Sequence, residues 1–265
     1  MKIVVCVKQV PDTNEVRINH ETGTLIRDGV PSIINPDDKN ALEEALRIKD
    51  KLDDVNVTVL TMGPPQAKES LNEALAMGAD EAILLTDRAF AGSDTWATAT
   101  ILAAAVEKIG DYDIVFCGRQ AIDGDTAQVG PEMAEFLDLP QITYVQDLEI
   151  KQEDKKVVAK RAIEDGQYII ESSMPVVLTA IKELNEPRYM STWGIFQNVK
   201  NNPVKVMTLD DLEIDITQIG LKGSPTNVYK TFVPTNKFEG EILQGDTNRE
   251  KAVQFMLKMK EKHII

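Results

Sequence analysis

Short apolar segments alternate with helical patterns through the first half of the chain. Each segment is a continuous run rich in β-branched residues, as is typical of a strand buried on both faces of a parallel sheet. The segments are residues 2–7, 55–60, 82–85 and 114–117. Strands that alternate with helices, joined by right-handed crossovers, predict an α/β fold with a mostly parallel, doubly wound sheet.

The predicted helices between these strands carry recognisable start and stop signals. The first begins at Asn35-Pro36, with a capping residue, a proline at the first helical position and acidic residues in the first turn. The second follows the Gly-Pro-Pro sequence at 63–65 and ends at Gly78, a residue type that favours helix ends. A third helix is predicted over residues 95–108, and a fourth begins at Gly130-Pro131.

Beyond residue 139 the pattern changes to short strands separated by polar turns. We interpret these strands as antiparallel additions to the edge of the sheet. They cover residues 141–144, 148–150, 157–160, 168–171 and 176–180. From about residue 209, glycines and prolines interrupt every pattern until a terminal helix near 248–262. Because this tail has too few apolar residues to fold alone, we predict a domain over residues 1–208 and an arm over 209–265 that lies against another surface.

Composition and charge narrow the function classes. The chain has 265 residues, 43% hydrophobic and 27% charged, which is ordinary for a folded globular protein. A net charge of -14 and scattered basic residues argue against nucleic-acid binding. No apolar run approaches the roughly 18 residues needed to span a bilayer, and no signal-peptide pattern follows Met1, so we expect a cytoplasmic protein without membrane insertion.

The cysteine and histidine content gives no metal site or catalytic centre. Only Cys6 and Cys117 are present, both within apolar runs and without a Cys/His cluster. We interpret them as buried, inert strand cysteines in a reducing compartment. With two histidines in polar surroundings, no acid–base centre is predicted and no residue is assigned a catalytic role.

The loop after the fourth strand is the leading candidate for a binding site. Residues 118–130 read G-R-Q-A-I-D-G-D-T-A-Q-V-G, longer than an ordinary strand-to-helix connection. Its glycines permit close backbone approach, its arginine offers a planar cation, and three polar side chains offer hydrogen bonds. These residues are Gly118, Gly124, Gly130, Arg119, Asp125, Thr126 and Gln128. They suit the diphosphate and ribose of a nucleotide, although a loop that merely caps the sheet is an alternative.

Two further observations bear on nucleotide binding. Neither the G-x-G-x-x-G fingerprint nor a Walker loop occurs, so binding would use another geometry and an ATP-hydrolysing or adenylating enzyme is disfavoured. The loop at 87–95 is a second candidate, because Ser93 or Asp94 can cap the following helix while Gly92 exposes its N-terminus. An ordinary capping turn explains this second loop equally well.

Several segments resemble the beta subunit of electron transfer flavoproteins. They are V-V-C-V-K-Q-V-P-D at 4–12, D-G-V-P-S-I-I-N-P at 28–36, A-L-A-M-G-A-D at 74–80, G-R-Q-A-I-D-G-D at 118–125 and L-N-E-P-R-Y at 184–189. The family signature is similar to Arg161, the acidic-glycine cluster at 164–166 and the apolar run at 175–180. Ordinary members of this family use the corresponding pocket to hold a structural AMP.

Two stretches resemble more closely the electron-bifurcating members of the family from anaerobes. They are D-G-D-T-A-Q-V-G-P at 123–131 and D-R-A-F-A-G-S-D-T-W-A-T at 87–98. This resemblance implies that the pocket holds an FAD that accepts a hydride from NADH. The implied cofactor-binding residues are Cys6, Lys8, Asn35, Asp37, Met62, Gly63, Asp94, Thr95, Gly118, Arg119, Ala121, Ile122, Asp123, Gly124, Asp125, Thr126, Ala127, Gln128 and Val129.

The resemblance also implies partners. One electron would pass to ferredoxin and the other, through the FAD of the large alpha subunit, to a flavoprotein dehydrogenase. In the family, the segment after L-N-E-P-R-Y docks an acyl-CoA dehydrogenase through a leucine, but here Thr192 or Trp193 takes that place, which leaves a lactate dehydrogenase-type flavoprotein open. Trp193, Ile195 and Phe196 would anchor the partner, or alternatively form a core aromatic cluster.

Two features concern the alpha subunit. Tyr168 stands where many members carry an acidic residue that pairs with the large subunit. The tail from Leu221 onward resembles the family's arm, which wraps the large subunit.

Overall fold

The computed structural model describes residues 1–12, 17–18, 25–26, 31–201, 204–229 and 240–265, with side chains described outside 17–18 and 25–26. Two features of the sequence lie partly outside these ranges. They are the family-like segment at 28–36, in its residues 28–30, and the predicted arm, in its residues 230–239. The chain divides into two units, Met1–Tyr229 and Lys230–Ile265.

The strands fall into one large sheet and two small pairs. They are β1 (Lys2–Cys6), β2 (Gln9–Pro11), β3 (Arg17–Ile18), β4 (Leu25–Ile26), β5 (Ser32–Ile34), β6 (Asn56–Met62), β7 (Glu81–Leu85), β8 (Ile114–Gly118), β9 (Gln141–Lys151), β10 (Lys156–Ile163), β11 (Gly166–Ser173), β12 (Val176–Ala180) and β13 (Val204–Met207). Among the described residues, the large sheet has the order β11-β10-β9-β12-β8-β1-β6-β7-β13. The small antiparallel pairs are β2 with β5 and β3 with β4.

The predicted parallel core is confirmed. β1 lies at its centre and pairs in parallel with β6 and β8, and β6 pairs in parallel with β7.

The strands after residue 139 are only partly as predicted. β10 is antiparallel to β9 and β11, but β12 lies between β8 and β9 and runs parallel to both. The prediction of an antiparallel edge was therefore wrong for β12, whose five residues are all buried like those of a core strand.

Helices of the first unit cover both faces of the sheet. They are α1 (Pro36–Lys51), α2 (Lys68–Met77), α3 (Thr95–Ile109), α4 (Val129–Phe136), α5 (Thr192–Asn201) and α6 (Gly220–Gly223), and the second unit contains α7 (Asn248–Glu261). Apolar side chains of α1 and α2 pack into one core cluster, and those of α3 and α4 pack into the other. This arrangement leaves the N-termini of α1, α3 and α4 at the edge of the sheet where the parallel strands end.

The chain beyond β12 contains elements that the pattern did not predict. α5 follows the L-N-E-P-R-Y segment, and β13 adds a parallel edge strand to β7. The first unit also includes residues 209–229, where Leu212 and Ile219 are buried in the same core cluster as α3. The predicted terminal helix is confirmed as α7. In the described ranges, no helix combines the length and apolar character that a membrane crossing requires.

Candidate functional site

A cleft of about 350 Å³ opens where β1, β6 and β8 end. The loop after β8 forms one wall, and the first turns of α3 form another. The lining residues are Cys6, Val7, Lys8, Asp38, Met62, Ser93, Asp94, Thr95, Thr98, Leu102, Cys117, Gly118, Arg119, Gln120, Ala121, Gly124, Thr126, Ala127, Gln128, Val129 and Gly130. The position matches that of ligand sites in open parallel sheets, beyond the carboxyl ends of the strands.

Asn35 holds the loop after β8 in place through its side chain. Its side-chain Nδ2 donates a hydrogen bond to the carbonyl oxygen of Gln120 at 2.8 Å, and its Oδ1 accepts one from the backbone N–H of Ile122 at 3.0 Å. The Asn35 side chain is fully buried. It therefore acts on the shape of the loop and does not line the cleft.

Asp38, at the first turn of α1, ties two strand ends together. Its carboxylate accepts backbone hydrogen bonds from Lys8 at 2.8 Å and from Gly118 at 2.9 Å. Burial raises the pKa of this carboxyl from 3.8 to about 7, against the effect of those hydrogen bonds. A Cβ at Gly118 would lie 2.2 Å from the Asp38 Oδ1, so only glycine allows this approach.

Two cationic side chains stand at the cleft. Lys8 Nζ lies 2.6 Å from the Oδ1 of Asp123. Arg119 Nε lies 3.3 Å from the Oδ2 of Asp37, yet both atoms are buried and neither makes a hydrogen bond within the described residues. Burial raises the pKa of Asp37, although the Arg119 charge opposes this rise. The Arg119 side chain also lines the cleft, and a planar guanidinium is suited to an anionic ligand such as a phosphate.

The loop after β8 also contains backbone conformations that are unusual for residues with a side chain. Asp125 has φ 47° and Ala127 has φ 53°, both in the left-handed region. Such conformations cost energy and cluster at functional sites. The side chain of Asp125 is turned inward to its own loop, where its Oδ1 accepts a hydrogen bond from Gln120 Nε2 at 2.8 Å.

Asp94 organises the opposite wall. Its Oδ1 accepts a hydrogen bond from the backbone N–H of Ala97 at 3.1 Å, which confirms the predicted capping of α3. Its Oδ2 accepts two more from the N–H and the hydroxyl of Thr226, at 2.9 and 2.7 Å. Burial opposes ionisation, but these hydrogen bonds outweigh it and lower the pKa of Asp94. The hydroxyl of Thr95 donates to Glu132 Oε1 at 3.2 Å and so connects α3 with α4.

The two cysteines lie side by side at the base of the cleft. Both are buried and neither forms a disulfide, as predicted. A hydrogen bond to Cys6, together with burial, raises the pKa of the Cys117 thiol. Since the thiolate is the reactive form, this shift agrees with an inert role. Within the described residues, no group of histidine, cysteine or acidic side chains is placed to hold a metal ion.

Most of the predicted site residues line the cleft. The predicted residues outside the lining are Asn35, Asp37, Gly63, Ile122, Asp123 and Asp125. Of these, Asn35, Asp37, Asp123 and Asp125 contact lining residues or support the loop, as described above. The assignment of individual residues to a cofactor stays a prediction.

Some lining residues were absent from the predicted set. They are Val7, Thr98, Leu102 and Cys117. Helical spacing was an available signal for two of them, because Asp94, Thr98 and Leu102 recur every four residues and so share one face of α3.

A separate surface lies on α5. Trp193 and Phe196 stack with their ring centroids 5.9 Å apart and are 69% and 57% exposed. The alternative of a core aromatic cluster was therefore wrong. Gly194 seats α5 on α2, since a Cβ there would lie 2.7 Å from the Cα of Ala76. Tyr168 is also exposed, on the edge strand β11.

The chain is similar to a known protein family and to several known proteins. A family model described as the electron transfer flavoprotein domain matches residues 22–212. The chain is 61% identical, over the full length of both proteins, to the electron transfer flavoprotein subunit beta of Thermoanaerobacterium thermosaccharolyticum. It is 54% identical, again over both full lengths, to the caffeyl-CoA reductase-Etf complex subunit CarD of Acetobacterium woodii. It is 48% identical, with both chains fully covered, to the acryloyl-CoA reductase electron transfer subunit gamma of Anaerotignum propionicum.

Proposed function

The chain belongs to the electron transfer flavoprotein family as a beta subunit, and from this premise we propose that its cleft binds FAD and receives electrons from NADH. Membership implies a role in electron transfer together with an alpha subunit. In our proposal the chain would hold an FAD that accepts a hydride from NADH, and the two electrons would then separate. One would go to ferredoxin, and the other would go through the alpha subunit's FAD to a flavoprotein dehydrogenase. The cytoplasm is the proposed location.

The observation that carries the proposal is the cation-bearing wall of the cleft. Arg119, whose Nε faces Asp37 at 3.3 Å, and Lys8, whose Nζ faces Asp123 at 2.6 Å, both line the cleft. Together with the N-terminus of α3 they provide positive charge for a diphosphate. The glycines at 118 and 130 allow close internal packing around the cleft, because a Cβ at Gly118 would lie 2.2 Å from Asp38 Oδ1 and one at Gly130 would lie 2.7 Å from Thr179 Cγ2. The two cationic side chains fit the pyrophosphate of a dinucleotide.

The chain contributes binding and positioning to this reaction. When bound, a flavin supplies the hydride-accepting ring and the one-electron chemistry. Asp38 and Asn35 hold the strand ends and the loop in place, while Met62, Leu102 and Val129 provide apolar lining that limits water. No acid–base side chain is required from this subunit.

The proposed dehydrogenase partner docks on the exposed aromatic surface of α5. Two relatives are named as subunits of caffeyl-CoA and acryloyl-CoA reductases. These names favour a partner of the acyl-CoA dehydrogenase type over one of the lactate dehydrogenase type. Exposed tryptophan and phenylalanine side chains such as Trp193 and Phe196 are the residues that concentrate binding energy in protein interfaces.

The alternative is a subunit whose cleft holds a structural AMP. The cleft volume favours this alternative, because about 350 Å³ is near the lower end of the range for small-molecule sites. Nucleotide content separates the two functions. The subunits are co-purified and their nucleotides released and counted. Two FAD per heterodimer, with bleaching of the flavin absorbance by NADH, supports our proposal, whereas one FAD and one AMP supports the alternative.

Variants of the loop after β8 test the assigned cleft directly. We expect Asp125→Ala and Thr126→Ala to lower the nucleotide retained by this subunit after dialysis, because both residues belong to the loop that forms the cleft wall. Thr100→Ala is the matched control, since its hydroxyl bonds only to its own helix, at the carbonyl of Trp96. Unchanged nucleotide content in both loop variants would contradict the assignment.

A further inference from the structure

The beginning of the predicted arm lies against the candidate cofactor site. We call residues 219–226 the latch segment. It contacts the loop at 87–95, which forms one wall of the cleft. The backbone N–H of Leu221 donates to the carbonyl oxygen of Ala91 at 3.1 Å, and that of Gly220 donates to the hydroxyl of Ser93 at 3.1 Å. Ile219 is buried in the core cluster that includes α3, so the latch segment is anchored at its start.

Glycines allow the two backbones to meet. Gly220 has φ +62°, and a Cβ on it would lie 2.1 Å from the carbonyl oxygen of Ala89. On the opposite side Gly92 has φ +77°, and a Cβ there would lie 3.1 Å from the Cβ of Leu221. Both positions favour glycine because of their positive φ, and Gly220 also leaves no space for a Cβ. Such a close fit on both sides indicates one defined arrangement of the latch segment on the loop.

Two hydroxyl side chains of the latch segment then bind Asp94. The Oγ of Ser224, a buried residue, accepts a hydrogen bond from the backbone N–H of Asp94 at 2.9 Å and donates one to the carbonyl oxygen of Gly220 at 2.7 Å. The N–H and hydroxyl of Thr226 both donate to Asp94 Oδ2. Because Asp94 Oδ1 caps α3, the latch segment determines how the aspartate presents the first turn of α3 to the cleft.

From these contacts we infer that Ser224 and Thr226 are positioning residues for the nucleotide site. Asp94 and its neighbours Ser93 and Thr95 line the cleft, whereas Ser224 and Thr226 do not. The two hydroxyl residues act on a ligand through Asp94. The inference rests on the proposed use of the cleft for a nucleotide, and it holds equally for FAD and for AMP.

The positioning role links the arm to the cleft. A nucleotide that contacts the wall of the cleft formed by Asp94 binds more tightly when the latch segment holds Asp94 than when Asp94 is released. By reciprocity, nucleotide binding then stabilises the latch segment by the same free energy. Since residues 209–265 are predicted to engage the alpha subunit, nucleotide occupancy and heterodimer formation would favour each other.

The test compares two threonine variants in the full-length chain, co-expressed with the alpha subunit. Thr226→Val removes the hydroxyl bond to Asp94 with little change in side-chain shape, and Thr226→Ser restores the hydroxyl. The matched control is Thr217→Val, because the N–H and hydroxyl of Thr217 donate to Asp215 in the same way but away from the cleft. The heterodimers are stripped of nucleotide, and the dissociation constants of FAD and AMP are measured by titration calorimetry, alongside thermal stability.

We expect Thr226→Val to weaken binding of the retained nucleotide by about three- to tenfold, the loss of up to one hydrogen bond to a charged group. Thr226→Ser should return the affinity to within about twofold, and Thr217→Val should match wild type. Wild-type affinity in Thr226→Val, even with a lower melting temperature, would overturn the inference. If Thr226→Val yields no folded heterodimer, Ser224→Ala decides by the same criterion. The identity of the bound nucleotide tests the proposed function separately.

Discussion

Gly118→Ala should break the junction beneath the cleft. Gly118 ends β8 directly against the first turn of α1. A Cβ there would lie 2.2 Å from Asp38 Oδ1, 2.6 Å from the Asp38 backbone nitrogen and 2.7 Å from the Asp37 carbonyl carbon. Ordinary van der Waals contact begins near 3.4 Å. Because two of the three atoms are helix backbone, rotation of a side chain is insufficient, and either α1 or the end of β8 must move.

Two costs add in this variant. Forcing a methyl group into a packed site costs about 1–3 kcal/mol, and the immovable backbone places Gly118 near the upper value. Displacement also lengthens the 2.9 Å hydrogen bond from Gly118 N–H to Asp38, and a bond to a charged acceptor contributes about 1.5–3 kcal/mol. Because the hydrogen bond is lengthened and not removed, only part of its contribution is lost, and we expect a total loss of about 3–5 kcal/mol in the free energy of unfolding. For a domain of this size that corresponds to a fall of about 10 °C in melting temperature.

Urea denaturation, thermal melting and nucleotide content measure the effect, with Gly124→Ala as the control. Gly124 belongs to the same loop, but a Cβ there would meet nothing within 4 Å. The control should keep wild-type stability to within about 0.5 kcal/mol, since exposed substitutions without special contacts have small effects. A Gly118→Ala protein with wild-type stability and nucleotide content would refute the described contact between β8 and α1.

Three further predictions concern the same unit. Burial raises the pKa of Asp38 to about 7, so between roughly pH 4 and pH 7 the folded chain keeps a proton that the unfolded chain releases, and stability should fall as pH rises through this window. Urea titrations of wild type and Asp38→Asn across that range should show a fall in wild type of up to about 4 kcal/mol relative to the variant; parallel curves would contradict it. Arg188→Met should cost about 2–3 kcal/mol in urea denaturation, because Glu43, nearly buried, loses a bidentate partner at 2.9 and 3.0 Å. It should also reduce electron delivery to the proposed dehydrogenase partner at unchanged nucleotide content, since Arg188 anchors the segment before α5; normal delivery would refute this. Ending the chain after Tyr229 should spare nucleotide binding and impair heterodimer formation, whereas ending it after Gly220 should impair both, as judged by nucleotide content and size-exclusion chromatography; equal behaviour of the two truncations would contradict the latch.

The parallel core was predictable because its signals are local. A strand buried on both faces must be apolar throughout, and each helix around it carries its own start signal, as Pro36 and Asp94 illustrate. The order of strands is not local. β12 reads like any core strand, and only its pairing with β8 and β9 shows that it closes the parallel sheet instead of extending the antiparallel edge.

The candidate site likewise combines features that the sequence signals locally with contacts between distant segments. The length and glycines of the loop after β8 mark it in the sequence, but the role of Asp38 depends on the contact between α1 and two strand ends. The contacts of Ser224 and Thr226 were likewise not predictable from the sequence, since their partner Asp94 lies about 130 positions earlier in the chain. α5 escaped prediction because none of its residues is buried and Gly194 interrupts its pattern, yet that glycine is what allows it to rest on Ala76.

The shape of the cleft leads us to expect that a partner subunit completes the site. Its inner part is closed by the strand ends, Asp38 and the two thiols, whereas Asp123, Gly124, Asp125 and Thr126 on the outer loop remain exposed. A volume of about 350 Å³ near the lower limit for ligand sites suits one nucleotide half of a dinucleotide. The second half would then extend past the exposed loop, where another protein surface must exclude water from it. In this proposal the loop after β8 would both contact the nucleotide and face the alpha subunit, so cofactor retention and heterodimer formation would share one structural element.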